Sequence, residues 1–127
     1  MEKFTPIVID FDGTIVTHAY PRIGKPVPHA IETMLEWQKE GAYLILFTMR
    51  SGNELNAAVQ YCKDNGVTFY GVQINPSQTQ WTTSPKAYGE LIIDDAAAGC
   101  PLIYPGGMIR PYVDWIEIKK IVKERLG

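Results

Sequence analysis

Short apolar runs alternate along the chain with segments that have helical hydrophobic spacing. Residues 7–9, 43–47, 67–72 and 91–93 form apolar runs typical of buried strands, and residues 102–104 form a weaker one. A turn signal, Asp12-Gly13, follows the first run closely. The pattern therefore predicts four strands and a weak fifth.

Three helices are predicted between or after these strands. The first begins at Pro28 and ends at Gly41, and the last begins at Pro111. The second follows a capping box formed by Ser51 and Glu54. Its apolar stripe, at positions i, i+3, i+4 and i+7, consists of Leu55, Ala58, Val59 and Cys62.

Strands that alternate with helices indicate an α/β fold, here a Rossmann-like three-layer sandwich with a mainly parallel central sheet. Residues 1–127 are expected to form a single domain, because domains of about 100–150 residues are common. Residues 14–27 are predicted to be an irregular excursion or a small hairpin, and residues 73–85 a polar loop.

Composition excludes several classes of protein. The 12 Lys and Arg residues are balanced by 14 Asp and Glu residues, which is not the charge balance of an extended nucleic-acid surface. Cys62 and Cys100 are too few for a disulfide scaffold or a four-ligand zinc site, and Cys62 is expected in the core. Residues 1–4 lack an apolar signal segment and no apolar run approaches about 20 residues, so we expect a cytoplasmic protein without a membrane partner.

Polar side chains lie close to the ends of the predicted strands. In chain order they are Asp10, Asp12, Thr14, Thr48, Lys86, Asp94 and Asp95. Ligands of parallel α/β sheets bind beyond the carboxyl ends of the strands, so we expect these groups to meet at one edge of the sheet.

Carboxylates that converge at one edge repel one another, and a hard divalent cation removes that conflict. Mg²⁺ binds oxygen ligands and takes one or two carboxylates together with a substrate phosphate. The Thr48 hydroxyl would donate to a phosphoryl oxygen, and Lys86 would offset its charge. For Asp10 and Asp12 taken alone, an ordinary Asp-Gly turn remains the alternative interpretation.

These residues resemble the four motifs of the haloacid dehalogenase superfamily of phosphotransferases, over residues 7–95. The segment Asp10-Phe11-Asp12-Gly13-Thr14 is similar to the first motif, Thr48 to the second, Lys86 to the third and the pair Asp94-Asp95 to the fourth. The similarity is to a small phosphatase-like branch without a cap domain. It implies the fold of that superfamily, Mg²⁺ as cofactor and hydrolysis of a phosphate ester.

The resemblance also implies a role for each residue. Asp10 would be the nucleophile that forms an aspartyl-phosphate, and Asp12 the general acid and base. Thr48 and Lys86 would complete the catalytic set by holding the phosphoryl group. The residues implied to contact the substrate are Thr14, Thr48, Met49, Arg50 and Lys86. The residues implied to hold Mg²⁺ are Asp10, Asp12 through its backbone carbonyl, Asp94 and Asp95.

The spacing leaves no room for a cap domain, with 33 residues between Thr14 and Thr48 and 37 between Thr48 and Lys86. By analogy, an open site suits large phosphorylated substrates, such as phosphoproteins or nucleic-acid ends, or is covered by a second subunit of a homo-oligomer. The net charge lends a nucleic-acid substrate no support. Rim candidates are His18, Tyr20, Arg22, Lys25, Arg50 and Trp81. Arg50 would either clamp a second anionic group or pair with a carboxylate.

Two other functions are compatible with an acidic pocket in this fold. One is a protein that binds a phosphorylated ligand without hydrolysing it. The other is a receiver-like phospho-acceptor module. Resemblance to a receiver would require the adjacent acidic pair to follow the first strand. In this chain the pair Asp94-Asp95 follows the fourth strand.

Overall fold

The structure is a computed structural model that describes residues 5–127, and its centre is a four-stranded parallel sheet. The strands are β1 (Pro6–Ile9), β2 (Tyr43–Leu46), β3 (Gly71–Val72) and β4 (Leu91–Ile93), in the order β3-β2-β1-β4. The predicted α/β class and parallel sheet are confirmed, although β3 is shorter than expected. Residues 1–4, in which the sequence predicts no secretion signal, lie outside the described residues.

Three helices accompany the sheet: α1 (Ala30–Lys39), α2 (Gly52–Asp64) and α3 (Trp115–Leu126). Within residues 5–127, no helix is long and apolar enough to cross a membrane. The predicted fifth strand, β5 (Leu102–Ile103), lies outside the main sheet and pairs antiparallel with β6 (Tyr112–Val113). Because β6 occupies the segment after Pro111, α3 begins only at Trp115, where the Asp114 side chain accepts a hydrogen bond from the Glu117 N–H.

The predicted start of α2 is confirmed, but the predicted capping box does not form. Ser51 is the N-cap residue, yet its side chain makes no capping hydrogen bond. Gly52, the first residue of the helix, has φ 54°, which is outside the right-handed helical region. The first turn of α2 therefore departs from the regular helical geometry in which a capping box forms.

All three α-helices cover one face of the sheet, so of the predicted three layers only one outer layer is made of α-helices. Ile7, Ile9 and Leu46 belong to the same buried cluster as residues of every helix, including Cys62, which is buried as expected. On the opposite face, Val8 and Ile45 pack against Ala87 in a separate, smaller cluster. Successive right-handed crossovers toward one edge of a sheet place their helices on one face.

The connection from β3 to β4 covers the second face without an α-helix; within it lies a short 3₁₀ helix, Pro76–Gln80. Buried side-chain amides form hydrogen bonds with backbone groups of this connection, in place of a regular helix. Gln78 donates to the carbonyls of Ser84 and Lys86 and accepts from the Tyr88 N–H, while Asn75 donates to the Tyr88 carbonyl. These bonds fix the irregular loop that carries Lys86.

Candidate metal and phosphate site

The carboxyl ends of β1 and β4 lie side by side where the strand order reverses, which is the usual ligand position in such sheets. Asp10 follows β1, and its N–H donates to the Ile93 carbonyl at the end of β4 at 2.9 Å. Asp94 and Asp95 follow β4. One carboxylate oxygen from each of Asp10, Asp94 and Asp95 lies within 4.8 Å of the others. The parallel register therefore brings together three acidic groups that are distant in sequence.

This environment favours the protonated form of Asp10. Burial, the charge of Asp94 and a hydrogen bond with Asp95, in that order, raise the pKa of Asp10 from 3.8 to about 8. A hydrogen bond from the Thr14 hydroxyl acts in the opposite direction. The carboxylate oxygens of Asp10, Asp94 and Asp95 are hard donors, and together with the unfavourable charge they fit Mg²⁺. Asp12, implied as a ligand through its carbonyl, contributes no carboxylate to this group.

Thr14 binds the ends of β1 and β4 but is not among the residues that line the cavity described below. The predicted contact of Thr14 with the substrate is therefore wrong. Thr14 is fully buried. Its hydroxyl donates to Asp10 at 3.0 Å and accepts from the Asp95 N–H at 3.3 Å, and its carbonyl accepts from the indole N–H of Trp115 at 2.7 Å. Thr14 thereby links both acidic strand ends to α3.

Position 13 requires glycine because the backbone of the loop after β1 lies in close contact with a histidine–carboxylate pair. The His18 ring lies 2.7 Å from Asp95, and both side chains are largely buried. A Cβ atom at Gly13 would lie 2.2 Å from Nε2 of His18 and 2.3 Å from Oδ2 of Asp95, and the φ of Gly13 is +80°. His18, expected only as a rim residue, therefore orients a candidate metal ligand.

Asp12 is held in a bidentate pair by Arg50. Nε and Nη2 of Arg50 each donate to a different oxygen of Asp12 at 2.8 Å. The remaining guanidinium hydrogens are directed to the carbonyls of Pro21, Arg22 and Glu54. All five donors of the guanidinium are thus used inside the protein, and the bond to Asp12 raises the pKa of Arg50.

The buried position of Arg50 decides between its two predicted roles. Its side chain is 1% exposed and lies between the rings of Phe11 and Tyr20, 5.0 and 5.2 Å from their centres. Arg50 therefore pairs with a carboxylate, which was the alternative prediction. The prediction that it clamps a second anionic group of the substrate is wrong.

An open cavity of about 330 Å³ lies over the strand ends. Its lining residues are Asp10, Asp12, His18, Tyr20, Thr48, Met49, Arg50, Asp94, Asp95 and Ala96. The Thr48 hydroxyl oxygen accepts from the Arg50 N–H at 3.2 Å, which leaves its own hydrogen free to donate into the cavity. Of the other rim candidates, Arg22 contributes its backbone carbonyl to Arg50, and Lys25 is not among the lining residues.

The structure places Lys86 outside this cavity, contrary to its predicted position beside the phosphoryl group. Lys86 is exposed and lines a different cavity, which it shares with Trp81. It precedes β4, and the following residue, Ala87, packs on the face of the sheet against Val8 and Ile45. Because Lys86 comes before β4, that strand does not carry it to the carboxyl edge.

Sequence reasoning missed Gln73, which follows β3 at the same edge of the sheet. Its side-chain oxygen accepts from the Thr48 N–H at 2.8 Å, and its side-chain nitrogen donates to the carbonyls of Thr48 and Arg50 at 2.6 and 3.1 Å. A polar residue directly after the third strand was the available signal.

Comparison with known proteins gives one informative match. The structure of a conserved protein from Bacteroides thetaiotaomicron is similar to this chain, with 36% sequence identity and a TM-score of 0.78. The similarity covers 96% of this chain and 92% of the other. No protein-family model and no curated protein matches the sequence.

We expect Mg²⁺ to raise the melting temperature, and to raise it more at pH 8 than at pH 5. In the metal-free protein, unfolded Asp10 loses its proton near pH 3.8 whereas folded Asp10 keeps it to about pH 8, so its contribution to stability falls as pH rises through this window. Mg²⁺ binds the ionised form and reverses that loss. Differential scanning fluorimetry with and without Mg²⁺ measures the effect.

Asp10→Asn should abolish the response to Mg²⁺, and Asp64→Asn, at the far end of α2, should leave it intact. An equal Mg²⁺ shift at both pH values, or an unchanged shift in Asp10→Asn, would contradict this assignment.

Arg50→Met should lower the free energy of unfolding by roughly 3 kcal/mol, because it leaves the part-buried Asp12 carboxylate without its partner. Arg50→Lys keeps the charge but not the planar fork, and should recover only part of this loss. Urea denaturation measures both. An unchanged urea midpoint in Arg50→Met would show that the pair does not hold the loops together.

Proposed function

This chain belongs to the same protein family as the conserved Bacteroides thetaiotaomicron protein, and we propose that it is a Mg²⁺-dependent phosphoric monoester hydrolase of the haloacid dehalogenase type. The proposal depends mainly on one observation: three carboxylates from adjacent strand ends meet in a cavity that the Thr48 hydroxyl also lines. Carboxylates at a cation site and a hydroxyl donor suit a phosphoryl group, which needs positioning and charge neutralisation.

Asp10 is the proposed nucleophile because it lies at the switch point and the Thr14 hydroxyl fixes its orientation. Asp10, Asp94 and Asp95 would hold Mg²⁺, which when bound would neutralise phosphoryl charge and favour ionised Asp10. An Asp10 oxygen bonds to phosphorus as the bond from phosphorus to the leaving oxygen breaks. Water then attacks phosphorus, the Asp10–phosphorus bond breaks, and phosphate and the free carboxylate result.

Asp12 is proposed to carry the protons, under the constraint that Arg50 imposes. Both oxygens of Asp12 already accept an N–H from Arg50, but each has a further lone pair. Asp12 therefore accepts the proton of the attacking water without losing Arg50. As an acid toward the leaving oxygen, it would donate from the same lone pair, so both Arg50 bonds can persist through the two half-reactions.

The Asp12–Arg50 pair also favours a second candidate function, binding of a phosphorylated ligand without hydrolysis. Both oxygens of Asp12 are engaged by the buried Arg50, and a site in which Asp12 delivers no proton to the leaving oxygen retains its ligand. The two functions differ in the number of phosphate equivalents that each protein molecule processes. A hydrolase releases many equivalents of phosphate, whereas a binding protein takes up one equivalent of a phosphate analogue such as orthovanadate.

The cavity suggests how the rest of the substrate is contacted. Tyr20 and Met49 line it with side chains that are 61% and 99% exposed. We propose that these two apolar groups contact the part of the substrate beyond the phosphate. Because the rim is open, a macromolecular phosphate ester is included among the candidates.

Asp10→Asn should abolish Mg²⁺-dependent hydrolysis and prevent formation of a phospho-enzyme, because the amide cannot attack phosphorus. A screen of nucleotides, sugar phosphates, phosphopeptides and phosphorylated oligonucleotides with the wild-type protein identifies a substrate, and acid-quenched mass spectrometry detects the adduct. Full activity in purified Asp10→Asn would refute the nucleophile assignment.

Thr48→Val should lower kcat/KM on the order of 10- to 100-fold, because it removes a hydrogen bond to a charged phosphoryl oxygen. Lys86→Ala should change kcat/KM little, because Lys86 lies outside the cavity. Steady-state kinetics on one substrate compares the two variants. A larger loss in Lys86→Ala than in Thr48→Val would restore the lysine to the site and contradict its position outside the cavity.

A further inference from the structure

Gln73 combines an unfavourable backbone with an unusually complete set of side-chain bonds. Its φ is 69°, in the left-handed region that residues other than glycine rarely adopt. All three of its side-chain bonds reach the segment from Thr48 to Arg50. Backbone strain at a non-glycine residue persists where the surroundings impose it, and it often marks a functional site.

The side chain of Gln73 continues the β2–β3 pairing after the main chain has turned away. The Gln73 N–H still donates to the Leu46 carbonyl at 2.7 Å, as in a regular ladder. Beyond that point the positive φ directs the chain into the crossover, and the amide group replaces the missing backbone by pairing with both the N–H and the carbonyl of Thr48.

We propose that Gln73 is a positioning residue that fixes the Thr48 hydroxyl in the cavity that the Asp10 carboxylate also lines. Gln73 is not among the residues that line the cavity, so it acts through Thr48. Its third bond, to the Arg50 carbonyl, holds the turn whose N–H binds the Thr48 hydroxyl oxygen. The inference rests on the proposed hydrolysis of a phosphate ester.

His29 provides a matched control. It also has φ 69°, but it precedes α1 and its ring bonds to Glu32 in the next turn. Relief of backbone strain at His29 therefore occurs away from the cavity. His29→Gly and Gln73→Gly relax the same backbone angle, and only the second removes contacts with Thr48.

The test compares Gln73→Gly, Gln73→Glu and His29→Gly by steady-state kinetics on para-nitrophenyl phosphate with Mg²⁺ and by amide hydrogen exchange at Thr48. Gln73→Gly should lower kcat/KM on the order of 10- to 100-fold while the melting temperature changes little, because lost bonds and relieved strain offset each other. Gln73→Glu directs a carboxylate at two carbonyls and should be at least as impaired. Exchange at Thr48 should accelerate in both variants, and His29→Gly should match the wild type.

Two outcomes would overturn the proposal: kcat/KM in Gln73→Gly equal to that of the wild type, or unchanged exchange at Thr48. A wild-type protein that hydrolyses no phosphate ester refutes the proposed function and with it the kinetic role. In that case faster exchange at Thr48 in the Gln73 variants still supports the positioning geometry, and unchanged exchange refutes that as well.

Discussion

Repulsion among the carboxylates of Asp10, Asp94 and Asp95 is the constraint on which the rest of the site depends. The parallel register of β1 and β4 brings these groups to within 4.8 Å of one another, and their partial burial weakens the screening of their charges by water. Burial, and after it the charge of Asp94, raises the pKa of Asp10. Thr14 and His18 hold the carboxylates of Asp10 and Asp95 in place despite this repulsion. A bound cation would offset the repulsion.

The two loops that complete the cavity are fixed by side chains that do not need to touch a substrate. Arg50 ties the loop after β1 to the start of α2 through Asp12 and backbone carbonyls. Gln73 ties the segment after β2 to β3. Where the chain leaves the sheet, the hydrogen bonds of both side chains fix backbone that no ladder of main-chain bonds holds. The loops that carry the site are positioned in this way.

The sequence predicted correctly which residues lie at the strand ends. It did not predict which side chains bind one another across the loops. The apolar runs located the strands, and their ends located Asp10 and Asp94, because a parallel sheet gathers its carboxyl ends. The helices were found, but which face they cover follows from crossover direction, which periodicity does not encode. The position of Lys86 was misjudged because it precedes a strand. The contacts of Arg50 and Gln73 join loops that are distant in the chain, so local pattern does not show which partners these side chains bind, even though the position of Gln73 directly after β3 marks it as a candidate.

The central claim is that the carboxylates at the ends of β1 and β4 form one cation site. The most direct measurement is a crystal structure of the wild-type protein grown with Mn²⁺ in place of Mg²⁺ and examined by anomalous scattering. We expect one anomalous peak in direct contact with oxygens of Asp10 and Asp94. A map without a peak there, with the two carboxylates turned apart, would contradict it.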